Sequence, residues 1–203
     1  DDKMVEWLFK NPVGDGGQYT GVSDLLMKYG VVPAEVMVET NSSNNTSRMS
    51  SLLRLKLKEF GLELRDKAAN KVSVADLGKR KTEMLGTIYR MLVLNLGEPP
   101  TKFTWTRKDA KGNPVETKEY TPQSFYAEYI GEDLKSNYVM LMNDPSREYY
   151  KLYEIDYDRH VYDGYNWTYV NLPIEDIKQM AIASIKDSTM MYFSCDVGKF
   201  FDR

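Results

Sequence analysis

The chain of 203 residues contains a single cysteine, Cys195, and a single histidine, His160. One thiol excludes any disulfide within the chain and is typical of proteins that fold in a reducing compartment. One thiol and one imidazole also provide too few ligands for a zinc site of the usual cysteine and histidine type. We therefore expect no internal cross-link and no bound metal.

Long apolar runs and an excess of charge are also missing. No run approaches the roughly 18 residues that a membrane-spanning helix needs, and the first residues, Asp1 to Lys3, lack the pattern of a secretion signal. The net charge of −3 and the isoelectric point of about 5.4 give no support to nucleic-acid binding over the whole surface. We expect a globular protein of the cytoplasm with no membrane partner, long enough for one large or two small units.

Helices and strands are both predicted, which gives a mixed α+β class. Apolar residues recur at helical spacing or follow helix-start signals in six segments, which are residues 2–9, 18–29, 47–66, 73–96, 121–130 and 173–186. Alternating stretches at 102–108 and 115–120 predict a β-hairpin. Further strands are predicted at 138–142, 149–157 and 190–194. The polar run from Thr40 to Thr46 fits either a linker or a helix N-cap.

Gly16 and Gly17 stand at the entrance of the predicted helix 18–29. Two adjacent glycines leave the backbone bare, so that its N–H and C=O groups can approach a ligand closely. Taken alone the pair is weak evidence, because most such pairs only form turns.

Short motifs along nearly the whole chain, taken in order, resemble those of bacterial aminopeptidase C and bleomycin hydrolase, a family of papain-like cysteine peptidases. The motifs are Gly14-Asp15-Gly16-Gly17-Gln18, Tyr29-Gly30-Val31-Val32-Pro33, Leu96-Gly97-Glu98-Pro99-Pro100, Thr121-Pro122-Gln123-Ser124-Phe125-Tyr126, Asn143-Asp144-Pro145, Asn171-Leu172-Pro173-Ile174-Glu175 and Phe193-Ser194-Cys195-Asp196-Val197-Gly198-Lys199.

The resemblance implies part of a papain-like fold with a large, mainly helical insertion that carries the hairpin. Residues 1–40 and 165–203 would belong to the peptidase body. Residues 41–164 would form the insertion, or hook, which in this family builds subunit contacts within a hexamer.

The family's catalytic motifs are missing from this sequence. They are a Cys in a Gln-Gly-x-x-Cys-Trp context, a His in Thr-His-Ala and an Asn in Asn-Ser-Trp-Gly. The resemblance therefore implies the middle of a longer cysteine aminopeptidase that cleaves peptides without a cofactor. The chain as given is predicted to be inactive.

The residues expected to contact substrate are Gly16, Gly17, Phe193 and Ser194. By the resemblance, the glycine pair lines the cleft and pairs its backbone with an extended peptide, which is recognition by strand addition. Phe193 and Ser194 would lie near the second substrate pocket, although strand alternation sends at least one of Tyr192, Phe193 and Ser194 toward the core.

Other candidates have plainer interpretations. Cys195 follows an apolar run and is expected to be structural, because a nucleophilic thiolate needs a helix N-terminus or a cationic neighbour. His160 matches no catalytic context and is expected at the surface. The carboxylate pairs Glu35/Glu39 and Asp156/Asp158 are expected to be solvated.

A different class of function also stays open. The chain could be a non-catalytic assembly module or a nucleic-acid-binding module. Basic clusters occur at Arg54, Lys56 and Lys58 and at Lys79 to Lys81. Acidic residues between them weaken any continuous phosphate-binding stripe, so we regard the clusters as solvated helix faces. A truncated product that folds without function is the third alternative.

Overall fold

The structure, a computed structural model, describes residues 3–14, 16–156, 158, 159, 161, 163–189 and 191–194, without the side chain of Met4. The elements in chain order are α1 (Lys3–Lys10), α2 (Tyr19–Tyr29), α3 (Asn41–Asn44), α4 (Ser47–Ala69), α5 (Val74–Leu96), β1 (Phe103–Lys108), β2 (Pro114–Tyr120), α6 (Pro122–Tyr129), β3 (Met140–Met142), β4 (Lys151–Ile155), β5 (Trp167–Asn171) and α7 (Ile174–Lys186). Two compact units are formed, one from Asp1–Gly16 with Val31–Phe125 and one from Gly17–Gly30 with Tyr126–Arg203. In the described ranges, no helix combines the length and apolar character needed to cross a bilayer.

The first unit is built on a hairpin of two long helices, α4 and α5. Ser73 begins α5 as predicted, since its hydroxyl accepts a hydrogen bond from the Asp76 backbone N–H at 3.1 Å. The buried apolar residues of these helices are Met49, Leu53 and Phe60 in α4 and Met84 in α5. Arg80 of α5 donates two hydrogen bonds to the Glu63 carboxylate of α4, at 2.7 and 3.0 Å.

The polar run before α4, for which a linker or an N-cap region was expected, forms a short helix of its own, α3. Thr46, the N-cap of α4, makes no side-chain capping hydrogen bond. Thr40 accepts a hydrogen bond from the Ser43 backbone N–H at 3.1 Å, and the Ser43 hydroxyl accepts one from the Thr40 N–H at 2.8 Å. This reciprocal pair is a capping box.

An aromatic cluster lies beside the antiparallel pair β1 and β2, which occurs where a hairpin was predicted. Phe103, Tyr120 and Phe125 are buried together, and Trp105 packs against them with its ring edge-on to Phe125 at a centroid distance of 5.2 Å. The Trp105 Nε1–H donates to the Glu35 carboxylate at 2.6 Å, and this hydrogen bond lowers the pKa of Glu35. Glu35 thus holds an aromatic side chain in place.

The second unit contains a three-stranded sheet of order β3-β5-β4, together with α2 and α7. Strand β5 is central, parallel to β3 and antiparallel to β4. It was not predicted, because Trp167–Asn171 has no clear alternation and acquires its strand character from partners distant in sequence.

The predicted strand at 190–194 is wrong over the residues described. Residues 191–194 have no strand structure, and Tyr192 and Phe193 are exposed. A strand needs a hydrogen-bonded neighbour, and among the described residues none pairs with this segment.

Candidate functional site

The Gly16–Gly17 segment is an exposed connection that leads directly into α2. Gln18 is the N-cap of α2 in extended conformation (φ −117°, ψ 166°), and its carbonyl accepts hydrogen bonds from the N–H groups of Gly21 and Val22. Its side chain makes no capping hydrogen bond, so the backbone of Gln18 alone caps the helix.

Nothing in the described structure requires glycine at position 16. A Cβ atom added there would meet no atom within 4 Å, and Gly16 and Gly17 are both exposed. Within the described residues, no hydrogen bond involves the backbone of either glycine.

Phe193 and Ser194 are also exposed, with Phe193 70% accessible. Among the described residues no hydrogen bond joins Gly17 to Phe193 or Ser194. The assignment of Phe193 and Ser194 to a substrate pocket stays a prediction. Cys195 and His160 lie outside the described residues, and their predicted roles remain predictions.

Helix α2, which follows the glycine pair, is tied to the loop at 163–165 by two polar contacts. The buried Asp24 carboxylate accepts a hydrogen bond from the Tyr165 N–H at 3.1 Å. Lys28 forms an ion pair with Asp163 at 2.5 Å, which raises the pKa of Lys28 and lowers that of Asp163. A Cβ atom at Gly164 would lie 2.6 Å from the Asp24 carboxylate and would clash with Val161, so only glycine fits there.

Two of the motifs recognised in the sequence are joined by hydrogen bonds around Asn171. The Asn171 side chain is fully buried. Its oxygen accepts from the Asp144 N–H at 2.8 Å, and its amide donates to the Asp144 carbonyl at 3.0 Å. It also donates to the carbonyls of Arg147 and Glu148, while Asn143 donates to the Leu172 carbonyl at 2.9 Å. Both motifs were recognised in the sequence, but the contact between them was not predicted. The signal that could have indicated it is an asparagine at the end of a strand.

The carboxylates provide no evident metal site. Over the part of the chain that the structure describes, no three histidine, cysteine, aspartate or glutamate side chains are grouped closely enough to hold a metal ion.

Comparison with known proteins identifies the class. The model of the Peptidase C1-like family matches residues 1–203, and the chain belongs to that family. Among its relatives, bleomycin hydrolase of Mus musculus is 34% identical over 205 residues, and aminopeptidase C of Lactobacillus delbrueckii subsp. lactis is 35% identical over 204. Both alignments cover 100% of this chain and 45% of the relative, so the chain spans about half the length of these curated relatives.

A solved structure shares the fold. The crystal structure of PepW from Lactobacillus rhamnosis HN001 superposes with a TM-score of 0.92 at 37% identity, over 100% of this chain and 46% of PepW. The predicted resemblance to the aminopeptidase C and bleomycin hydrolase family is confirmed, as is the mixed class of helices and strands.

Proposed function

We propose that the chain is the central part of a cysteine aminopeptidase that removes N-terminal residues from peptides. The observation that carries this proposal is the family match over all 203 residues, together with relatives named aminopeptidase C and bleomycin hydrolase. The proposed chemistry is acyl transfer. A thiolate attacks the peptide carbonyl, a histidine transfers the proton to the leaving amine, and hydrogen-bond donors hold the oxyanion.

In this proposal the chain supplies part of the cleft rather than the nucleophile. The family's Cys, His and Asn motifs are missing from the sequence, so the nucleophile and its base belong to other parts of the whole protein. The Gly16–Gly17 segment offers exposed backbone groups that can pair with an extended peptide. Phe193 and Ser194 are assigned to the neighbouring substrate pocket by the resemblance.

The second part of the proposal is that residues 41–164 mediate self-association into a hexamer. Three leucines on the outer face of α4 are exposed in the single chain. They are Leu52, Leu55 and Leu62. Exposed apolar side chains on a helical hairpin are commonly covered by a partner. The body at 1–40 and 165–203 and its location in the cytoplasm remain predictions.

Ion pairs along α4 and α5 weaken the nucleic-acid alternative. Lys56 pairs with Glu59 at 2.9 Å, and Arg80 pairs with both Glu63 and Glu83. A lysine or arginine that already neutralises a carboxylate contributes little to binding a phosphate backbone.

The experiment compares the whole protein with the 203-residue chain on amino-terminal chromogenic amides, with and without iodoacetamide. We expect thiol-sensitive turnover by the whole protein and none by the chain, because the proposed nucleophile and its base lie in other parts of the whole protein. Turnover by the chain alone would contradict the assignment of catalysis to other parts of the protein. No turnover by the whole protein would contradict the peptidase proposal.

A further inference from the structure

Helix α2 follows Gly17 directly, so the contacts that hold α2 in the second unit also determine where Gly17 lies. At the first turn, the Tyr19 ring packs against the Tyr138 ring at a centroid distance of 5.6 Å. The Thr20 hydroxyl donates to the Met140 sulfur, which is a weak acceptor. Aromatic pairs accept a range of offsets, so these contacts restrain the helix only loosely. A more directional contact lies in the middle of α2.

Asp24 makes this directional contact. It is buried, at 9% exposure, and its carboxylate accepts a hydrogen bond from the Tyr165 backbone N–H at 3.1 Å. The core-facing positions of a helix are normally apolar, and burying a carboxylate is costly. A hydrogen bond to a charged acceptor is also stronger than one between neutral groups. The burial of a carboxylate here therefore points to the task of holding the Tyr165 N–H.

The loop that Asp24 contacts is itself fixed to the three-stranded sheet. The Asn166 amide donates to the Glu154 carboxylate of β4 at 2.7 Å, and the residue after Asn166 begins the central strand β5. On the other side of the loop, the Lys135 ammonium lies 3.3 Å from the centroid of the Tyr165 ring. The hydrogen bond between Tyr165 and Asp24 therefore connects α2 to the sheet.

The space around this hydrogen bond requires glycine at position 164. A Cβ atom there would lie 2.6 Å from the Oδ2 atom of Asp24, which is the oxygen that accepts from the Tyr165 N–H. It would also clash with the Val161 side chain. A side chain at position 164 would push the carboxylate away from the Tyr165 N–H, so the loop and the helix fit each other closely at this point.

The distance between Asp24 and the start of α2 makes the position of Gly17 sensitive to this contact. Asp24 lies six positions after Gln18, the N-cap, which is about 9 Å along the helix axis. A tilt of α2 by about 10° around Asp24 would move the N-cap by roughly 1.5 Å. Backbone hydrogen bonds need N to O distances of about 2.7–3.2 Å, so this movement would break the pairing proposed for the Gly17 backbone.

On the basis of the proposed function, in which Gly17 lines the cleft, we propose that Asp24 is a positioning residue for peptide binding. By fixing α2 to the Tyr165 backbone, Asp24 holds the N–H and C=O groups of Gly17 where they pair with an extended peptide. Asp24 acts through Gly17 and does not itself contact the substrate.

The test measures KM and kcat of the whole protein on a chromogenic peptide amide. We expect Asp24→Ala to raise KM about tenfold with kcat within about twofold, because the pairing holds substrate and transition state alike. Asp24→Asn retains an acceptor for the Tyr165 N–H and should keep KM within about threefold of the wild type. Gly164→Ala displaces the carboxylate from outside α2 and should raise KM as Asp24→Ala does. The matched control is Ser23→Ala, at a buried position where the hydroxyl donates to the Thr20 carbonyl at 2.8 Å within α2 itself, and it should leave KM unchanged.

A double variant separates positioning from a general loss of stability. In Gly17→Val the pairing is already lost, so adding Asp24→Ala should lower the melting temperature further without a further rise in KM. An equal effect of Asp24→Ala on KM in both backgrounds would overturn the proposal, as would a wild-type KM in folded Asp24→Ala or folded Gly164→Ala. Thermal unfolding shows that each variant is folded, and Gly164→Ala provides the result if Asp24→Ala does not fold. Absence of turnover by the wild-type whole protein would instead contradict the proposed function, and the role of Asp24 with it.

Discussion

Asn171 illustrates how one side chain can organise a turn. Its oxygen accepts from the Asp144 N–H, and the two hydrogens of its amide are shared among the carbonyls of Asp144, Arg147 and Glu148. The carbonyls of Asp144 and Glu148 have other donors, the Arg147 N–H and the Tyr153 hydroxyl. Removing the Asn171 side chain therefore leaves mainly the Asp144 N–H and the Arg147 carbonyl without a partner, and an unsatisfied buried group costs about 1–3 kcal/mol. We expect Asn171→Ala to lower the free energy of unfolding of the whole protein by about 2–4 kcal/mol, measured by urea denaturation.

The matched control for Asn171 is Asn137→Ala, at an exposed position where the side chain makes one hydrogen bond, to Glu132. Its effect should stay within about 0.5 kcal/mol, as for most surface substitutions. If Asn171→Ala were as mild as this control, the 144–148 turn would have to be held by its other contacts, such as the Arg147 ion pair with Asp144.

Gly17 provides the residue-scale test of the proposed cleft. In the whole protein, Gly17→Val places a branched side chain where the peptide backbone is proposed to pair. We expect kcat/KM to fall at least about tenfold while the melting temperature changes little, as for the loss of an interaction with substrate. The control is Gly86→Val in α5, where an added Cβ meets no atom within 4 Å. Unchanged kinetics in Gly17→Val would assign the glycine to turn geometry.

At the scale of elements, sequence reasoning located the helices well. Helix α2 and the pair α4 and α5 were predicted because long apolar stripes, Ser73 as a cap and Gly30 and Gly97 as stops are local signals. Strand β5 was missed because Trp167–Asn171 has no clear alternation, and its central place follows only from its pairing with β3 and β4 in the folded sheet. Residues 191–194 show the reverse error, because an apolar run resembles a strand whether or not a partner strand exists.

The ion pair between Arg80 of α5 and Glu63 of α4 leads to a prediction about how stability changes in acid. The hydrogen bonds from Arg80 are the main cause that lowers the pKa of Glu63. The unfolded chain therefore binds a proton at Glu63 more tightly than the folded chain does. The pair's contribution to stability is fully present above the unfolded pKa and is lost as the pH falls through the folded pKa.

We expect Glu63→Gln to lower the melting temperature more at pH 7 than at pH 3, because the wild-type carboxylate is increasingly protonated in acid. The effect should be modest, since the pair is partly exposed to solvent. Glu98→Gln serves as the control, because Glu98 has no ion-pair partner in the described part of the chain. A Glu63→Gln effect that is equal at both pH values would show that the ion pair does not stabilise the hairpin.

At the scale of the whole molecule, the sequence was sufficient to predict the family but not to predict which side chains come together in the folded chain. The hydrogen bond from the Tyr165 N–H to the Asp24 carboxylate gives no pattern in the sequence, since the two residues are 141 positions apart and meet only on folding. The boundaries at 40/41 and 164/165 remain predictions, as they describe a division between body and insertion rather than the two compact units.

The outer face of α4 provides the test of assembly. Leu55 and Leu62 lie two turns apart on this face and are 67% and 60% exposed in the single chain. If subunits cover them, a charge at these positions must be buried without a partner in the oligomer, at a cost of several kcal/mol. We expect Leu55→Glu combined with Leu62→Glu to shift the whole protein from the proposed hexamer to smaller species in light scattering at micromolar concentration.

The control is Val74→Glu, at the first position of α5. It adds a charge at another highly exposed apolar residue and should leave the mass unchanged. A monomeric wild-type protein would contradict assembly itself. A double variant that remains hexameric would show that a different surface makes the contact.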